Sequence, residues 1–150
     1  MVRRKVSRRA FEKFEGERWN AFNDLCGMSE MNQLTPLQRI AYLAWWYDSE
    51  VKNGGHFQYF VNRSEFNHTE VIRFLNQIGA LPQSKILSRA LAAYDHDKVF
   101  PETKGEYLKK EKEADLLNFD REYSACKPEI MDLLGKYLDE HESEFIEWVP

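Results

Sequence analysis

The sequence predicts an all-α fold, in the form of a single-domain array of about six or seven helices. Three observations predict it. Apolar residues recur at spacings of three and four along most of the 150-residue chain, as they do on the buried face of a helix. Helix start signals stand at Thr35, Asn67 and Pro82. No stretch shows the regular alternation of apolar and polar residues that marks a strand.

The first two predicted helices are marked in different ways. The first covers roughly residues 8–26 and is predicted from apolar periodicity alone. The second begins after Thr35, an N-cap residue that is followed by Pro36 at the first helical position and by Gln38, whose carboxamide completes a capping box. This helix is expected to end at Asn53-Gly54-Gly55, because glycine adopts positive φ without steric cost.

Shorter elements are predicted for the rest of the chain. Pro101 and Gly105 interrupt a polar segment, so a loop is expected there. Phe145 and Trp148 are expected to fold back onto the core. The elements, in chain order, are a short helix at His56–Asn62, a helix capped by Asn67 and closed by Gly79, a helix from Pro82, the loop at Asp95–Lys112 with one turn, a short element at Leu116–Tyr123 and a last main helix from Pro128.

The composition is typical of a soluble globular protein, which we expect to be cytoplasmic. Apolar residues make up 43% and charged residues 31% of the chain, and this balance excludes a disordered protein. The longest apolar run, Ile40–Tyr47, is far shorter than the roughly 18 residues of a membrane span, and no signal peptide is recognisable. Cys26 and Cys126 are too few for a disulfide framework and are expected to be reduced.

Charge is distributed unevenly, although the net charge is only −4. Residues 1–20 carry a net charge of +4 and residues 111–150 a net charge of −8. We therefore expect a basic N-terminal arm at residues 1–10 and a single α-helical domain at residues 11–150. The arm is expected to be a disordered solubilising end, rather than a segment that binds nucleic acid or one that pairs with the acidic tail of the same chain or of a partner subunit. The acidic end of the chain suggests a basic partner.

No motif of a familiar catalyst or cofactor site is present. The chain has no glycine-rich phosphate loop, no zinc-protease helix pattern and no Gly-x-Ser-x-Gly elbow. The four histidines lack metal-ligand spacing, and Asp95-His96-Asp97 is expected to be a solvated turn rather than a metal site. The sequence therefore favours a non-catalytic protein without a cofactor or metal ion, and it leaves the question of an enzyme open.

The most unusual stretch surrounds the predicted glycine corner. Two helix ends meet there, and their free backbone groups need hydrogen-bond partners. Gln58 and Asn62 lie four residues apart, so they share a helix face and can bond each other or a neighbour in a buried polar network. The network either fixes the corner or lines a ligand pocket. The candidate residues are Glu50, Asn53, Gly54, Gly55, Gln58, Tyr59, Phe60 and Asn62.

The same stretch resembles the signature of a bacterial family of unknown function that is named after a DNA-mimic protein. Asn53-Gly54-Gly55, Gln58-Tyr59-Phe60 and Asn62 carry the resemblance, which covers roughly residues 30–150. His56 is a departure, because the family usually has an aromatic residue directly after the second glycine. Further matching positions are Glu50, Val51, Ile78-Gly79-Ala80, Phe119-Asp120, Tyr137-Leu138 and Phe145.

The resemblance implies an all-α protein without assigned catalytic residues, and a surface of carboxylates that imitates duplex DNA. Carboxylates four residues apart on a helix are about 6 Å apart along its axis, which is comparable to the spacing of backbone phosphates. Lys136 interrupts the acidic stripe, so an ordinary solvated helix face remains the alternative. The candidate acidic surface consists of Glu129, Asp132, Asp139, Glu140, Glu144 and Glu147.

The sequence therefore predicts a protein-interaction domain that occupies a DNA-binding regulator. A homodimer is a further candidate assembly. The alternative function is that of a small-ligand-binding protein or an enzyme, with its pocket at the Asn53-Gly54-Gly55 corner.

Overall fold

The structure, a computed structural model, describes residues 1–94 and 101–150. The expected turn at Asp95-His96-Asp97 lies outside the described residues. Within the described ranges the chain forms nine α-helical segments, a short 3₁₀ helix at Met31–Gln33 and two strands of four residues each. The predicted all-α fold is confirmed.

The nine α-helical segments of the described residues differ in length from four to 27 residues. In chain order they are α1 (Arg8–Lys13), α2 (Gly16–Met28), α3 (Pro36–Asn62), α4 (His68–Gln77), α5 (Leu81–Ala93), α6 (Lys104–Ala114), α7 (Leu117–Ser124), α8 (Ile130–Glu140) and α9 (Glu142–Phe145). No helix in the described part of the chain is long and apolar enough to span a lipid bilayer.

The chain divides into two compact units, with one boundary within α3 and the other at the start of α8. The first unit comprises Met1–Trp46 and Ile130–Pro150, and the second comprises Tyr47–Glu129. The expected single domain over residues 11–150 stays a prediction.

The start of α3 lies in the first unit and has the capping box that the sequence predicts. The backbone N–H of Gln38 donates to Thr35 Oγ1 over 3.2 Å, and the backbone N–H of Thr35 donates to Gln38 Oε1 over 3.0 Å. The buried carboxamide of Gln38 also donates to the backbone carbonyls of Val2 and Glu144. One side chain therefore joins the start of α3 to both ends of the chain.

Two short strands, β1 (Arg4–Ser7) and β2 (Ile146–Val149), form a parallel pair that the sequence analysis did not predict. The register pairs Arg4 with Ile146 and Ser7 with Val149. Strands of four residues are too short to show a recognisable alternation, and their partners lie at opposite ends of the chain. The segment expected to be a free basic arm thus contributes a strand.

The first predicted helix is wrong in one respect, because residues 8–26 do not form a continuous helix. The chain breaks between α1 and α2, where Phe14 has extended backbone angles of φ −152° and ψ 102°. The Phe14 ring lies against Gly16, and a Cβ at Gly16 would come closer to it than 3.0 Å. Gly16 thus leaves room for the exposed Phe14 ring next to the break.

The expected loop at Asp95–Lys112 is also wrong over its described part, because α6 covers Lys104–Ala114. Thr103 caps this helix, since its Oγ1 accepts from the backbone N–H of Glu106 over 3.1 Å. Gly105 lies in the first turn of α6, where its effect on helix stability is small compared with that of the cap. At the other end, Asp115 adopts the left-handed conformation that stops the helix.

The remaining second-unit elements agree with the sequence analysis. Asn67 caps α4, because its Oδ1 accepts from the backbone N–H of Glu70 over 3.2 Å. Gly79 follows α4 with a φ of 88°, a conformation that favours glycine. Within α3 the helix is broken at Gly55, whose φ of 83° and ψ of 179° are outside the helical region.

Candidate functional site

A buried carboxylate, Glu50, organises the polar residues of the glycine corner. Its Oε2 accepts from Gln58 Nε2 over 2.9 Å and from Asn62 Nδ2 over 3.0 Å. Its Oε1 accepts from Arg63 Nε over 3.0 Å. Only 9% of the Glu50 side chain is exposed, so the ion pair and the two carboxamides compensate the cost of burying its charge. The predicted polar network exists, with Glu50 at its centre.

The two glycines of the corner are required by close approaches of other side chains. A Cβ at Gly54 would overlap the Gln58 carboxamide, and a Cβ at Gly55 would overlap the Asp120 carboxylate, each closer than 3.0 Å. Gly55 also has the positive φ that other residues rarely adopt. The double glycine thus lets two polar groups reach the corner.

Three further residues of the predicted corner make no hydrogen bond to Glu50 among the described contacts, namely Tyr59, Phe60 and Asn53. Tyr59 is buried, and its hydroxyl lies 2.8 Å from His68 Nδ1. Phe60 is buried and stacks on Tyr94 with ring centroids 4.5 Å apart. Asn53 is exposed on the surface of the second unit. The structure therefore places Tyr59 and Phe60 in the core and gathers Gln58 and Asn62 around Glu50.

His56 forms a hydrogen-bonded chain with Tyr47 and Asp120. The Tyr47 hydroxyl lies 2.8 Å from His56 Nε2, and His56 Nδ1 lies 2.7 Å from Asp120 Oδ1. The same Oδ1 accepts from the His56 backbone N–H over 2.8 Å. Burial raises the pKa of Tyr47 well above its ordinary value, so the phenol stays protonated and can donate to Nε2 while Nδ1–H donates to Asp120.

A second buried acid, Asp48, lies one turn before Lys52 on α3. The hydroxyl of Tyr123 donates to Asp48 Oδ1, and Lys52 Nζ lies 3.0 Å from Asp48 Oδ2. Burial and the neighbouring Asp48 charge raise the pKa of Tyr123 well above its ordinary value, so this phenol remains a donor. Asp48 and Asp120 thereby connect α3 to α7.

A cavity of about 390 Å³ opens beside the corner within the second unit. Its volume is at the lower end of the range for small-molecule sites. The lining residues are Phe57, Leu108, Glu111, Lys112, Asp115, Leu116, Leu117 and Asp120. Of the predicted corner stretch, only Phe57 lines this cavity, and none of the residues proposed as a pocket from the sequence does.

The predicted acidic surface is divided between the two units. Glu129 belongs to the second unit, where its carboxylate lies 3.7 Å from both Lys52 Nζ and Lys127 Nζ. The other five carboxylates belong to the first unit, on α8, on α9 and in β2; they are Asp132, Asp139, Glu140, Glu144 and Glu147.

Arg18 on α2 partly neutralises the first-unit carboxylates. Its guanidinium donates to Asp139 and, over 2.6 Å, to Glu142. Burial alone would raise the pKa of Glu142, but hydrogen bonds from Arg18 and Trp148 hold it below its ordinary value. Glu142 is therefore ionised at neutral pH, and its carboxylate is already hydrogen-bonded to Arg18 and Trp148.

The other first-unit carboxylates of the predicted surface differ in how accessible they are to a partner. Asp132 and Glu140 are exposed, and no cation pairs with either of them in the described residues. Glu144 accepts a hydrogen bond from Thr35 Oγ1 over 2.9 Å. Glu147 is half-buried and stands opposite Lys5 in the strand pair. Burial, followed by the charges of Glu144 and Glu140, raises the pKa of Tyr137 to about 12.

Four residues of these hydrogen-bonded groups, Asp48, His56, Asp120 and Arg18, were not predicted as site residues, because each has a partner distant in sequence. Asp48 had a signal, since an acidic residue stands in the apolar stripe of α3. His56 had another, since it departs from the family pattern. Asp120 had a third, since Phe119-Asp120 matches the family pattern. Arg18 had none, because its contact with Asp139 spans 121 residues. In the part of the chain that is described, no group of three or more His, Cys, Asp or Glu side chains could hold a metal ion.

One of three comparisons with known proteins finds a match, and this match is the family that the sequence resembles. A search of the curated proteins and a search of the solved structures each find no match. The family model of the DMP19-like proteins matches residues 32–141, a range that includes the corner, Asp120 and all of α8. The chain therefore belongs to the DMP19-like family, the family of a DNA-mimic protein.

Proposed function

We propose that this protein is a non-catalytic interaction domain that occupies a DNA-binding regulator, with carboxylates in the place of DNA phosphates. Membership of the DMP19-like family is the observation that carries the proposal. The proposed contact surface consists of Asp132, Asp139, Glu140, Glu144 and Glu147, which all belong to the first unit.

Exposed carboxylates on a rigid helix support this function. Asp132 and Glu140 are eight residues apart on α8, so they are about 12 Å apart along its axis and can contact different basic side chains of one partner. Lys136 stands between them on the same face and lowers the local negative charge. The unpaired Asp132 and Glu140 therefore contribute more to the proposed contact than Asp139, which Arg18 already binds.

The first experiment tests whether a bound partner exchanges the protein for DNA. The protein is immobilised, incubated with purified DNA-binding regulators at low salt, and then washed with duplex DNA or with increasing salt. We expect duplex DNA to release the bound regulator, because both ligands would use the same basic site. We also expect binding to weaken as salt rises, because screening reduces attraction between exposed charges. A regulator that stays bound at excess DNA would contradict the proposal.

A matched pair of variants assigns the contact to α8. Asp132→Asn with Glu140→Gln removes two charges from the proposed surface. Glu12→Gln with Glu65→Gln removes two charges from other exposed positions. We expect only the first pair to weaken binding, by about tenfold, since two lost charge-assisted contacts of modest strength amount to about 1–2 kcal/mol. Equal effects of the two pairs would show that net charge, and not this surface, drives binding.

The alternative function, a ligand site formed by the corner itself, has less support. The carboxamides of Gln58 and Asn62 both donate to Glu50, so neither is free to anchor a ligand through that N–H. Their arrangement favours a role in fixing the corner.

A further inference from the structure

We propose that the 390 Å³ cavity beside Gly55 binds a small organic ammonium ion, with the ammonium group at Asp120 and the apolar part against Phe57 and Leu116. This proposal is independent of the proposed DNA-mimic function, because the cavity and the first-unit carboxylates lie in different units.

The apolar part of the cavity has a fixed wall and a more open rim. Phe57 and Leu116 are buried, and the Phe57 ring is held edge-on by Tyr107 with ring centroids 5.0 Å apart. Leu108 and Leu117 are more than half exposed although they line the same cavity. The burial of this apolar surface under a hydrocarbon group of a ligand is favourable, because both surfaces are removed from water.

Asp120 is positioned to receive a cation. Its Oδ1 accepts two hydrogen bonds from His56, one from the backbone N–H and one from the ring, which fix the carboxylate in place. Its Oδ2 has no hydrogen-bond donor among the residues that the structure describes, and 27% of the side chain is exposed. The pair of bonds to His56 pre-organises the group, so binding costs little additional side-chain entropy.

The charges around the cavity select for a cation. Among the described lining residues, three are acidic, Glu111, Asp115 and Asp120, and one is basic, Lys112. Burial, followed by the charges of Glu111, Glu50 and Asp120, raises the pKa of the adjacent Tyr107, as expected in a negative potential. A neutral or anionic ligand of the same shape would not gain from this potential.

The experiment compares ligands of one shape and different charge. The full chain, labelled with ¹⁵N, is titrated with 2-phenylethylammonium, with hexylammonium, and with 2-phenylethanol and phenylacetate as neutral and anionic controls. We expect saturable chemical-shift changes centred on Phe57, Leu116 and Asp120 for at least one ammonium ion. We expect binding of each control to be weaker by about tenfold or more, the factor that a charge-assisted hydrogen bond supplies.

Variants locate the binding site. Asp120→Asn should weaken ammonium binding by about tenfold, and Leu117→Lys, which places a cation at the exposed rim, should weaken it by about threefold through a screened repulsion. Glu65→Gln, an exposed carboxylate that does not line the cavity, is the matched control and should leave binding unchanged. If Asp120→Asn disturbs folding through His56, Leu117→Lys decides, since its side chain is outside the core.

The proposal is overturned if neither ammonium ion produces saturable shifts at the cavity. It is also overturned if 2-phenylethanol binds as tightly as 2-phenylethylammonium, or if the folded cavity variants bind as tightly as Glu65→Gln.

Discussion

Replacement of Gly55 by alanine should destabilise the protein strongly, because two independent costs coincide at this position. Gly55 has a φ of 83° and a ψ of 179°, a combination that is almost exclusive to glycine. A Cβ on this backbone would also overlap the Asp120 carboxylate. Relief of either problem requires movement of the corner or of α7.

The expected loss follows from these two costs. Holding a non-glycine residue in a sparsely populated backbone region costs about 1–3 kcal/mol. Displacing Asp120 breaks hydrogen bonds of 2.8 and 2.7 Å to His56, which costs about 1–3 kcal/mol more because the His56 donors are buried. We therefore expect Gly55→Ala to lower the free energy of unfolding by about 2–6 kcal/mol, a large share of the roughly 5–15 kcal/mol of an ordinary domain.

Urea denaturation followed by circular dichroism measures this loss, and Gly135→Ala is the matched control. Gly135 lies inside α8, and a Cβ there meets no atom within 4 Å. Alanine should thus raise the free energy of unfolding at this position by about 0.5–1 kcal/mol. A loss below about 1 kcal/mol for Gly55→Ala, with Gly135→Ala behaving as expected, would refute the reasoning about the corner.

Three further predictions concern individual contacts. Thr35→Ala should lower the free energy of unfolding by about 1 kcal/mol in urea denaturation, because the start of α3 loses the hydroxyl of its capping box; no loss would mean that the cap is dispensable. Glu50→Gln should cost about 2 kcal/mol, because Arg63 loses its charged partner and one carboxylate oxygen is replaced by a donor; a neutral result would show that the carboxamides hold the corner without the charge. Arg18→Gln should cost about 1 kcal/mol at pH 7, as expected for a half-exposed ion pair. Because the folded pKa of Glu142 is lowered, this contribution is present above the unfolded pKa of Glu142 and disappears as pH falls through its folded pKa. The difference in the free energy of unfolding between wild type and Arg18→Gln should therefore shrink below about pH 4. A difference that stays constant at lower pH would exclude Glu142 as its source.

Local sequence signals predicted most of the helices. The capping box at Thr35, the N-cap at Asn67 and the glycine corner all involve residues within four positions of each other, and the structure contains each of them. The errors arose where a second local feature determined the conformation. The extended backbone at Phe14, whose ring lies against Gly16, interrupts a periodic segment. The cap at Thr103 starts a helix that includes Gly105.

The candidate sites were less predictable, because they depend on contacts between distant residues. The approach of Gln58 and Asn62 followed from helical spacing, but the acid they bind, Glu50, is on the other side of the Gly55 break. Asp120 reaches His56 across 64 residues. Such contacts depend on how α7 packs on α3, which no pattern within a single helix specifies.

The measurement that tests the central claim most directly is the affinity of one DNA-displaceable regulator for three forms of the protein at a single low salt concentration. Arg18→Gln removes a positive charge and frees Asp139 and Glu142, whereas Asp132→Asn with Glu140→Gln removes two negative charges. The account predicts tighter binding than wild type for the first form and weaker binding for the second, with the salt dependence changing in the same order. Equal affinities for all three forms, or the reverse order, would contradict it.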